Sequence, residues 1–265
     1  MLSLVKRHPI ITFFVLTYAI AWGFVPFGSF GAFAPLVAAL IVIPLTQGVA
    51  GLKKLGLRII RWRVRWYWYV VALGLPLGVE LVNVGLNVAA GVGIPTQGFT
   101  SLTGLLMIFA VRLVNPLDGP LGEDPGWRGF ALPGLQGFGY SPLLATVILA
   151  VLISGWHLPL FFMEDGGLPP SIVVTSILTT VAVTFWYTWI FNRTGGSVLL
   201  VILAHNVEGI IQSEGWIYMG LWLAVAIGLV VFNWKAWRGP APTEATTEMV
   251  RPPRAPREAT PAAPA

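Results

Sequence analysis

The chain has 265 residues, of which 56% are hydrophobic and only 10% are charged, and its formal net charge is +5. Soluble domains carry about 25% charged residues, so a chain this apolar could not cover itself with polar surface in water. The composition therefore argues against a soluble enzyme, a disordered protein and a nucleic-acid-binding domain. Because cysteine is absent, disulfides, thiolate catalysis and cysteine zinc sites are excluded.

Eight apolar runs follow one another, most of them near the roughly 20 residues that a membrane span needs. The first run follows Lys6 and Arg7 as a signal peptide would, but hydrophobic sequence continues after it, so we expect a retained helix. The predicted spans cover residues 10–27, 33–46, 69–90, 102–117, 142–162, 172–191, 197–212 and 216–234. They predict an all-α polytopic transmembrane helical bundle with a central polar cavity.

Charge and composition predict how the bundle is oriented in the membrane and where the membrane domain ends. With the N-terminus inside, the loops at 48–66 and 192–196 and the chain after the last span also lie inside. These segments hold fourteen of the sixteen lysines and arginines, as the positive-inside rule requires. Residues 1–238 are predicted to form the membrane domain, and residues 239–265 a disordered cytoplasmic tail rich in proline and alanine. We expect the cell membrane of a bacterium, with the loop at Glu164 and Asp165 outside.

Ionisable side chains near membrane depth are the strongest functional signal, because burying them without a partner is costly. The candidates are Glu80, Arg112, Glu123, Asp124, Arg128, His157, His205 and Glu208. Glu123 and Asp124 lie at the start of a predicted short helix, whose N-terminus favours anions. Asp124 and Arg128 have the i,i+4 spacing at which side chains meet. This group predicts either a buried ion pair or a carboxylate that acts as a general base.

Two histidines lie in other segments. His157 comes late in a predicted span, where Pro159 is expected to kink or end the helix, and it is either an interfacial residue or a catalytic one. His205 lies inside an apolar run with Glu208 on the same helical face, and either an interhelical hydrogen bond or chemistry explains it.

A carboxylate and two histidines from three segments suit two kinds of amide hydrolysis. They could bind a divalent metal such as zinc with an open water position. Alternatively, a glutamate and one histidine could activate water while the other histidine stabilises the oxyanion. The HExxH and GxSxG signatures are absent from the sequence, so a common zinc or serine protease arrangement is unsupported.

The polar motifs resemble those of a known family. In chain order they are GEDPGWRGFALPGLQ, GWHLPLFF and VLLVILAHNVEG. They look like the three motifs of the CPBP family, the CAAX-prenyl-protease-like and bacteriocin-processing intramembrane peptidases, also called the Abi family. The opening KRHPIITFFVLTYAIAWG is similar as well, and the resemblance covers nearly all of the chain before the tail.

The resemblance implies an intramembrane endopeptidase and assigns its site. Glu123 would be the general base, acting on water with His157, while Arg128 would orient the carboxylates and His205 would stabilise the oxyanion. Asp124 stands where the family usually has a second glutamate. If the enzyme were metal-dependent, Glu123, His157 and His205 would be the ligands; otherwise no cofactor is implied. The implied partners are a membrane-anchored peptide or protein substrate and the lipid bilayer, without nucleic acid, and a prenylated substrate is not assumed.

One position departs from the family pattern. The asparagine of the third motif falls at Gly209, which has no side chain to donate a hydrogen bond. Asn206 or a backbone N–H could replace it. The departure also leaves open a non-catalytic bacteriocin self-immunity or scaffold protein, and buried Glu, His and Arg would also suit a transporter, although no inverted repeat is apparent.

Overall fold

The structure is a computed structural model that describes residues 2–92, 101–117, 119–163, 166–211 and 213–243. All regular elements within these ranges are helical, which confirms the all-α prediction. The α-helices are α1 Leu2–Arg7, α2 Pro9–Gly23, α3 Ala34–Ile59, α4 Tyr67–Ala89, α5 Leu102–Val114, α6 Pro120–Gly126, α7 Leu132–Gly137, α8 Pro142–His157, α9 Pro170–Arg193, α10 Val198–Ile211, α11 Trp216–Phe232 and α12 Trp234–Arg238. A π-helical turn, Trp127–Ala131, joins α6 to α7.

The helices form a polytopic bundle, as predicted, but fewer of them reach full span length. Five helical segments are long and apolar enough to cross a membrane: Pro9–Phe27, Ala34–Ile59, Tyr67–Ala89, Pro142–Phe162 and Pro170–Arg193. The predicted spans at 102–117, 197–212 and 216–234 become α5, α10 and α11, with 13, 14 and 17 residues. The α5 helix ends before Pro116, because a proline disfavours helical geometry in the residue that precedes it. Within the described residues, five of the eight predicted spans therefore have the length of a full span, and the other three are shorter apolar helices.

The basic segment differs from the predicted loop at 48–66. Helix α3 continues to Ile59, although Gly48 breaks its geometry with φ 64° and ψ −162°. Residues after this kink keep apolar side chains at helical spacing, and Leu55 is buried. The loop prediction was wrong here because the hydropathy of the segment falls while its helical periodicity persists.

Aromatic packing forms the centre of the bundle. The side chains of Trp127, Trp156, Trp186 and Trp222 are fully buried. Trp127, on the π turn, meets Trp156, on α8, edge to face with ring centroids 5.5 Å apart. Large apolar side chains remain exposed on the outside of α4, α5 and α11, as expected of helices that face lipid. The chain is therefore an integral membrane protein.

Helix α6 is held unusually close to α3. A Cβ atom built on Gly126 would lie 2.3 Å from the carbonyl oxygen of Pro35, and one built on Gly122 would lie 3.1 Å from the Cα atom of Phe33. Small residues four positions apart allow this approach of backbones. The glycines of the GEDPGWRG segment thus bring its acidic residues to the middle of the bundle.

Parts of two predictions lie outside the described residues. The first is most of the predicted tail, residues 244–265. The second is the predicted acidic loop, of which Glu164 and Asp165 are not described. The division into a domain of residues 1–238 and a tail stays a prediction, as does the orientation that rests on the acidic loop.

Candidate active site

Helix α6 and the π turn carry the first group of candidate residues. Glu123 and Asp124 lie on α6, and Arg128 lies on the π turn that follows. Arg58 Nη1 on α3 donates a hydrogen bond to the Gly129 carbonyl oxygen of this turn, at 3.1 Å. The basic segment of α3 therefore holds the π turn, and π turns of this kind often occur at functional sites.

Asp124 is the centre of a buried polar group. Its Oδ1 atom accepts a hydrogen bond from Arg128 Nη1 at 2.9 Å, which confirms the predicted i,i+4 pair. Its Oδ2 atom accepts one from His205 Nδ1 on α10 at 3.0 Å. Asp124 is fully buried and Arg128 is 2% exposed. We call Asp124, Arg128 and His205 the Asp124 cluster; its contacts lie between residues as many as 81 positions apart.

Helix α9 contributes two site residues that sequence reasoning missed. The ring of Tyr187 lies 4.8 Å from the Arg128 guanidinium carbon and 5.3 Å from the His205 ring, centroid to centroid. Thr184, one turn earlier, accepts a 3.5 Å hydrogen bond from Arg128 Nη2. The signal in the sequence is a row of polar residues at helical spacing, Thr180, Thr184 and Tyr187, within an otherwise apolar helix.

A second carboxylate adjoins the Asp124 cluster through Tyr187. The two oxygens of Glu208 accept hydrogen bonds from the hydroxyl groups of Tyr187 and Tyr218, each at 3.3 Å. Tyr187 therefore contacts Arg128 and His205 with its ring and Glu208 with its hydroxyl. Glu208 belongs to the polar centre of the bundle.

His157 ends helix α8, as the following proline predicted, and a 3₁₀ turn, Leu158–Phe162, follows. Its Nδ1 atom donates a 2.9 Å hydrogen bond to the carbonyl of Ile153. The ring packs edge to face on Trp156 at 4.7 Å, and electrostatic interactions with His205 and Arg128 reach it. His157 is therefore within electrostatic range of the Asp124 cluster, without a direct hydrogen bond to it among the described residues.

Glu123 is 8% exposed. Burial raises the pKa of its carboxyl to about 7, and the charge of His205 opposes this rise. A carboxyl group whose pKa lies near 7 can both accept and release a proton at neutral pH. The site therefore contains a carboxyl group with a basicity suited to general-base chemistry.

One family model matches the part of the chain that carries these residues. Residues 101–211 match the model of a family described as type II CAAX prenyl endopeptidase Rce1-like, and this segment contains all five predicted site residues. The chain is also similar to CAAX prenyl protease 2 of Methanococcus maripaludis, with 27% identity over 180 residues that cover 63% of this chain and 65% of that protein. Both similarities support the resemblance to the CPBP family.

The candidate donor groups of the site do not form a metal site as they stand. Among the residues that the structure describes, no three His, Asp or Glu side chains are placed to hold a metal ion together. The suggested ligand set of Glu123, His157 and His205 does not fit this geometry, so the chemistry proposed below is carried by the protein's own residues.

Asn206 is the side chain in the third motif that could replace the asparagine missing at position 209. Asn206 is fully buried, and its Nδ2 atom donates a 2.9 Å hydrogen bond to the carbonyl of Phe109 on α5. Asn206 therefore ties α10 to α5, and its amide group already donates a hydrogen bond there. Gly209 lies one turn after His205, on the same face of α10.

Proposed function

We propose that the protein is an endopeptidase that hydrolyses a peptide bond of a membrane-associated substrate with water activated by Glu123. The observation that carries the proposal is the buried Glu123 carboxyl beside the Asp124 cluster. An acidic group kept near neutral basicity within an apolar bundle is expensive to bury, and it is best explained by chemistry. The resemblance to the CPBP family supports the same activity.

Glu123 and His157 would act on the water. Because His157 donates its Nδ1 hydrogen to Ile153, its Nε2 atom keeps a lone pair in the neutral ring. That lone pair can accept one hydrogen of a water molecule while Glu123 accepts the other. As the water oxygen attacks the carbonyl carbon, its proton passes to Glu123. General-base assistance of this kind contributes about 10²–10⁴ in rate.

The Asp124 cluster would orient His205. Asp124 accepts the Nδ1 hydrogen of His205 at 3.0 Å, and Arg128 fixes the other Asp124 oxygen at 2.9 Å. The imidazole is thereby held in one orientation, and its charged form is stabilised by the carboxylate. His205 Nε2 would then donate to the substrate oxygen as negative charge develops on it.

The name of the similar M. maripaludis protein suggests which substrate to try first. We propose a peptide that carries a prenylated cysteine near its C-terminus, because the lipid would hold the peptide at the bilayer where the site lies. A transmembrane peptide without a lipid is the comparison substrate. Cleavage of the lipidated peptide alone would assign the prenyl group to recognition.

The test uses the purified full chain in detergent micelles. Wild type and Glu123→Gln are incubated with both peptides, with and without a strong chelator, and products are identified by mass spectrometry. We expect cleavage by wild type only. Cleavage by Glu123→Gln at the wild-type rate would contradict the proposal, and inhibition by the chelator would contradict its metal-free form.

A second function has one observation in its favour, which is Gly209 at the asparagine position of the third motif. A self-immunity or scaffold protein of the same fold would not need an oxyanion donor there. Such a protein would keep its protective or partner-binding effect in Glu123→Gln and His157→Ala. Loss of the effect in both variants would assign it to cleavage.

The orientation in the membrane is also proposed, with both termini cytoplasmic in a bacterial cell membrane. Because the chain has no cysteine, single cysteines can be introduced without removing native ones. Cysteine at Ser3 or Thr243 should react with an impermeant maleimide only after the cells are opened. Labelling of either position in intact cells would contradict this orientation.

A further inference from the structure

The Arg112 side chain, near the end of α5, lies in a space that two glycines leave open. A Cβ atom built on Gly119 would lie 2.9 Å from Arg112 Nη2, and one built on Gly209 would lie 2.7 Å from the same atom. Gly119 also has φ 74°, a conformation that favours glycine. The guanidinium therefore lies between the start of α6 and the His205 face of α10.

This position brings Arg112 next to the groups that the proposed reaction uses. The point that a Cβ at position 209 would occupy is 2.7 Å from Arg112 Nη2 and 3.9 Å from His205 Cδ2. Electrostatic interactions of Arg112 also reach the carboxyl groups of Glu123 and Glu208. A guanidinium and an imidazole thus lie side by side on the face of α10 that contacts Asp124.

We propose that Arg112 is a second oxyanion-stabilising residue of this site, placed in the space that Gly209 leaves and acting together with His205. The inference rests on the endopeptidase function proposed above. It implies that the missing side chain at position 209 is a condition for activity in this chain. An arginine can supply forked N–H donors and a permanent positive charge.

The step in which Arg112 acts can be written in full. The water oxygen forms a bond to the carbonyl carbon, Glu123 takes the water proton, and the π electron pair of the carbonyl moves onto its oxygen. That oxygen becomes an anion beside Arg112 and His205. When the pair returns, the carbon–nitrogen bond breaks and the leaving amine takes the proton from Glu123. Arg112 remains protonated throughout.

A structural role for Arg112 makes different predictions. A cation in the last turn of a helix interacts favourably with the helix dipole, and Arg112 lies in the last turn of α5. In that role its loss would lower stability and leave the kcat of the folded fraction unchanged. The measurement therefore has to separate kcat from KM and from folding.

The test compares Arg112→Ala, Gly209→Asn and the double variant, using the lipidated peptide and the full chain. For Arg112→Ala we expect kcat to fall about 10²–10³-fold with little change in KM. Gly209→Asn alone should also lose activity, because its side chain would enter the space of the guanidinium. The double variant should regain at least tenfold over Arg112→Ala, because asparagine then has both the space and a donor. Arg193→Ala, which removes an exposed arginine bonded to Asn233, is the control for loss of a cation.

The outcomes separate this inference from the function on which it rests. Wild-type kcat in Arg112→Ala, with Glu123→Gln inactive, overturns the inference alone. A double variant no better than Arg112→Ala also overturns it. Cleavage by Glu123→Gln at the wild-type rate overturns the endopeptidase function itself. If Arg112→Ala does not fold, Arg112→Lys replaces it; lysine keeps the charge but has no fork, and unchanged kcat in that variant overturns the inference.

A binding measurement tests the oxyanion-stabilising role of Arg112 independently of turnover. The probe is the same lipidated peptide with a phosphinate in place of the scissile amide, which mimics the tetrahedral anion. In the Glu123→Gln background, we expect added Arg112→Ala to weaken phosphinate binding at least tenfold and to leave binding of the parent peptide unchanged. Equal phosphinate binding with and without Arg112 overturns the inference, whatever the cleavage rate.

Discussion

Glu123 and Asp124 are neighbours on α6 and both are buried, yet their surroundings differ. Asp124 has both oxygens engaged, one by Arg128 at 2.9 Å and one by His205 at 3.0 Å. No hydrogen bond or ion pair among the described residues engages the Glu123 carboxyl, so burial and nearby charges alone act on it. Under the proposed function, one short helix presents a structural carboxylate and a reactive one side by side.

The comparison predicts opposite effects for two matched amide substitutions. Removing the charge at Asp124 breaks an ion pair and a hydrogen bond, so the main cost falls on the fold. Removing it at Glu123 breaks no such contact, so the main cost falls on the reaction. The following expectations test this division, beginning with the largest effect.

The largest effect is expected for Glu123→Gln. The amide has the size of the carboxyl but cannot accept the water proton, so we expect cleavage to fall by about 10²–10⁴. The unfolding midpoint should not decrease, because no buried charge pair is lost. A variant that is inactive and also strongly destabilised would show that Glu123 holds the fold, contrary to the comparison.

Asp124→Asn should affect stability first. Arg128 loses its charged partner in a site where both side chains are buried, which costs about 3 kcal/mol or more in the free energy of unfolding. Equilibrium unfolding in mixed micelles measures this loss. Asp124→Glu is the control, because it keeps the charge, and it should lose less. Equal stability of Asp124→Asn and wild type would contradict the role assigned to the pair.

The pH dependence should follow Glu123. The base is active when deprotonated, and its pKa is raised to about 7, so kcat/KM should rise about tenfold per pH unit well below 7 and level off above it. The stability of the fold should change with pH in the opposite direction. Because the folded state holds the proton more tightly than the unfolded state, stability should fall as the pH rises from about 4.5 to about 7. A rate profile that is flat from about pH 5 to about pH 8 would contradict Glu123 as the base.

Tyr187→Phe should give the smallest effect. It removes the 3.3 Å hydrogen bond to Glu208 and keeps the ring that lies 4.8 Å from the Arg128 guanidinium. One such bond contributes about 1 kcal/mol, so we expect a loss of that order in stability and a change of only a few-fold in cleavage. Tyr218→Phe, which removes the matching bond to Glu208, is the control. A loss of activity as large as that of Glu123→Gln would place the Tyr187 hydroxyl in the reaction.

Local patterns in the sequence predicted the parts of the site that depend on spacing. The i,i+4 rule predicted the pair of Asp124 and Arg128, and Pro159 predicted that α8 would end near His157. The ordered polar motifs predicted that α6 and α10 meet, as the contact between Asp124 and His205 shows. These features depend on residues close in sequence or on motifs that resemble those of a known family.

The remaining features depend on tertiary packing, which one sequence does not display. Tyr187 contacts Arg128 because α9 packs beside the π turn, and Asn206 faces Phe109 because α10 packs on α5. Arg58 lies in the basic segment that the positive-inside rule uses to predict topology, yet its guanidinium also donates a hydrogen bond to the Gly129 carbonyl. A basic residue near an interface has the same appearance in sequence for either role.

The close packing of α6 on α3 has a consequence for mutational scanning of this protein. A single methyl group on Gly126 would collide with the carbonyl of Pro35 at 2.3 Å, and rigid backbone atoms cannot move aside as a flexible side chain can. Glycine-to-alanine changes at positions 122 and 126 would therefore displace the acidic pair and reduce function as strongly as the loss of a reacting group. A scan that ranks residues by lost activity would assign chemistry to positions whose contribution is the absence of a side chain.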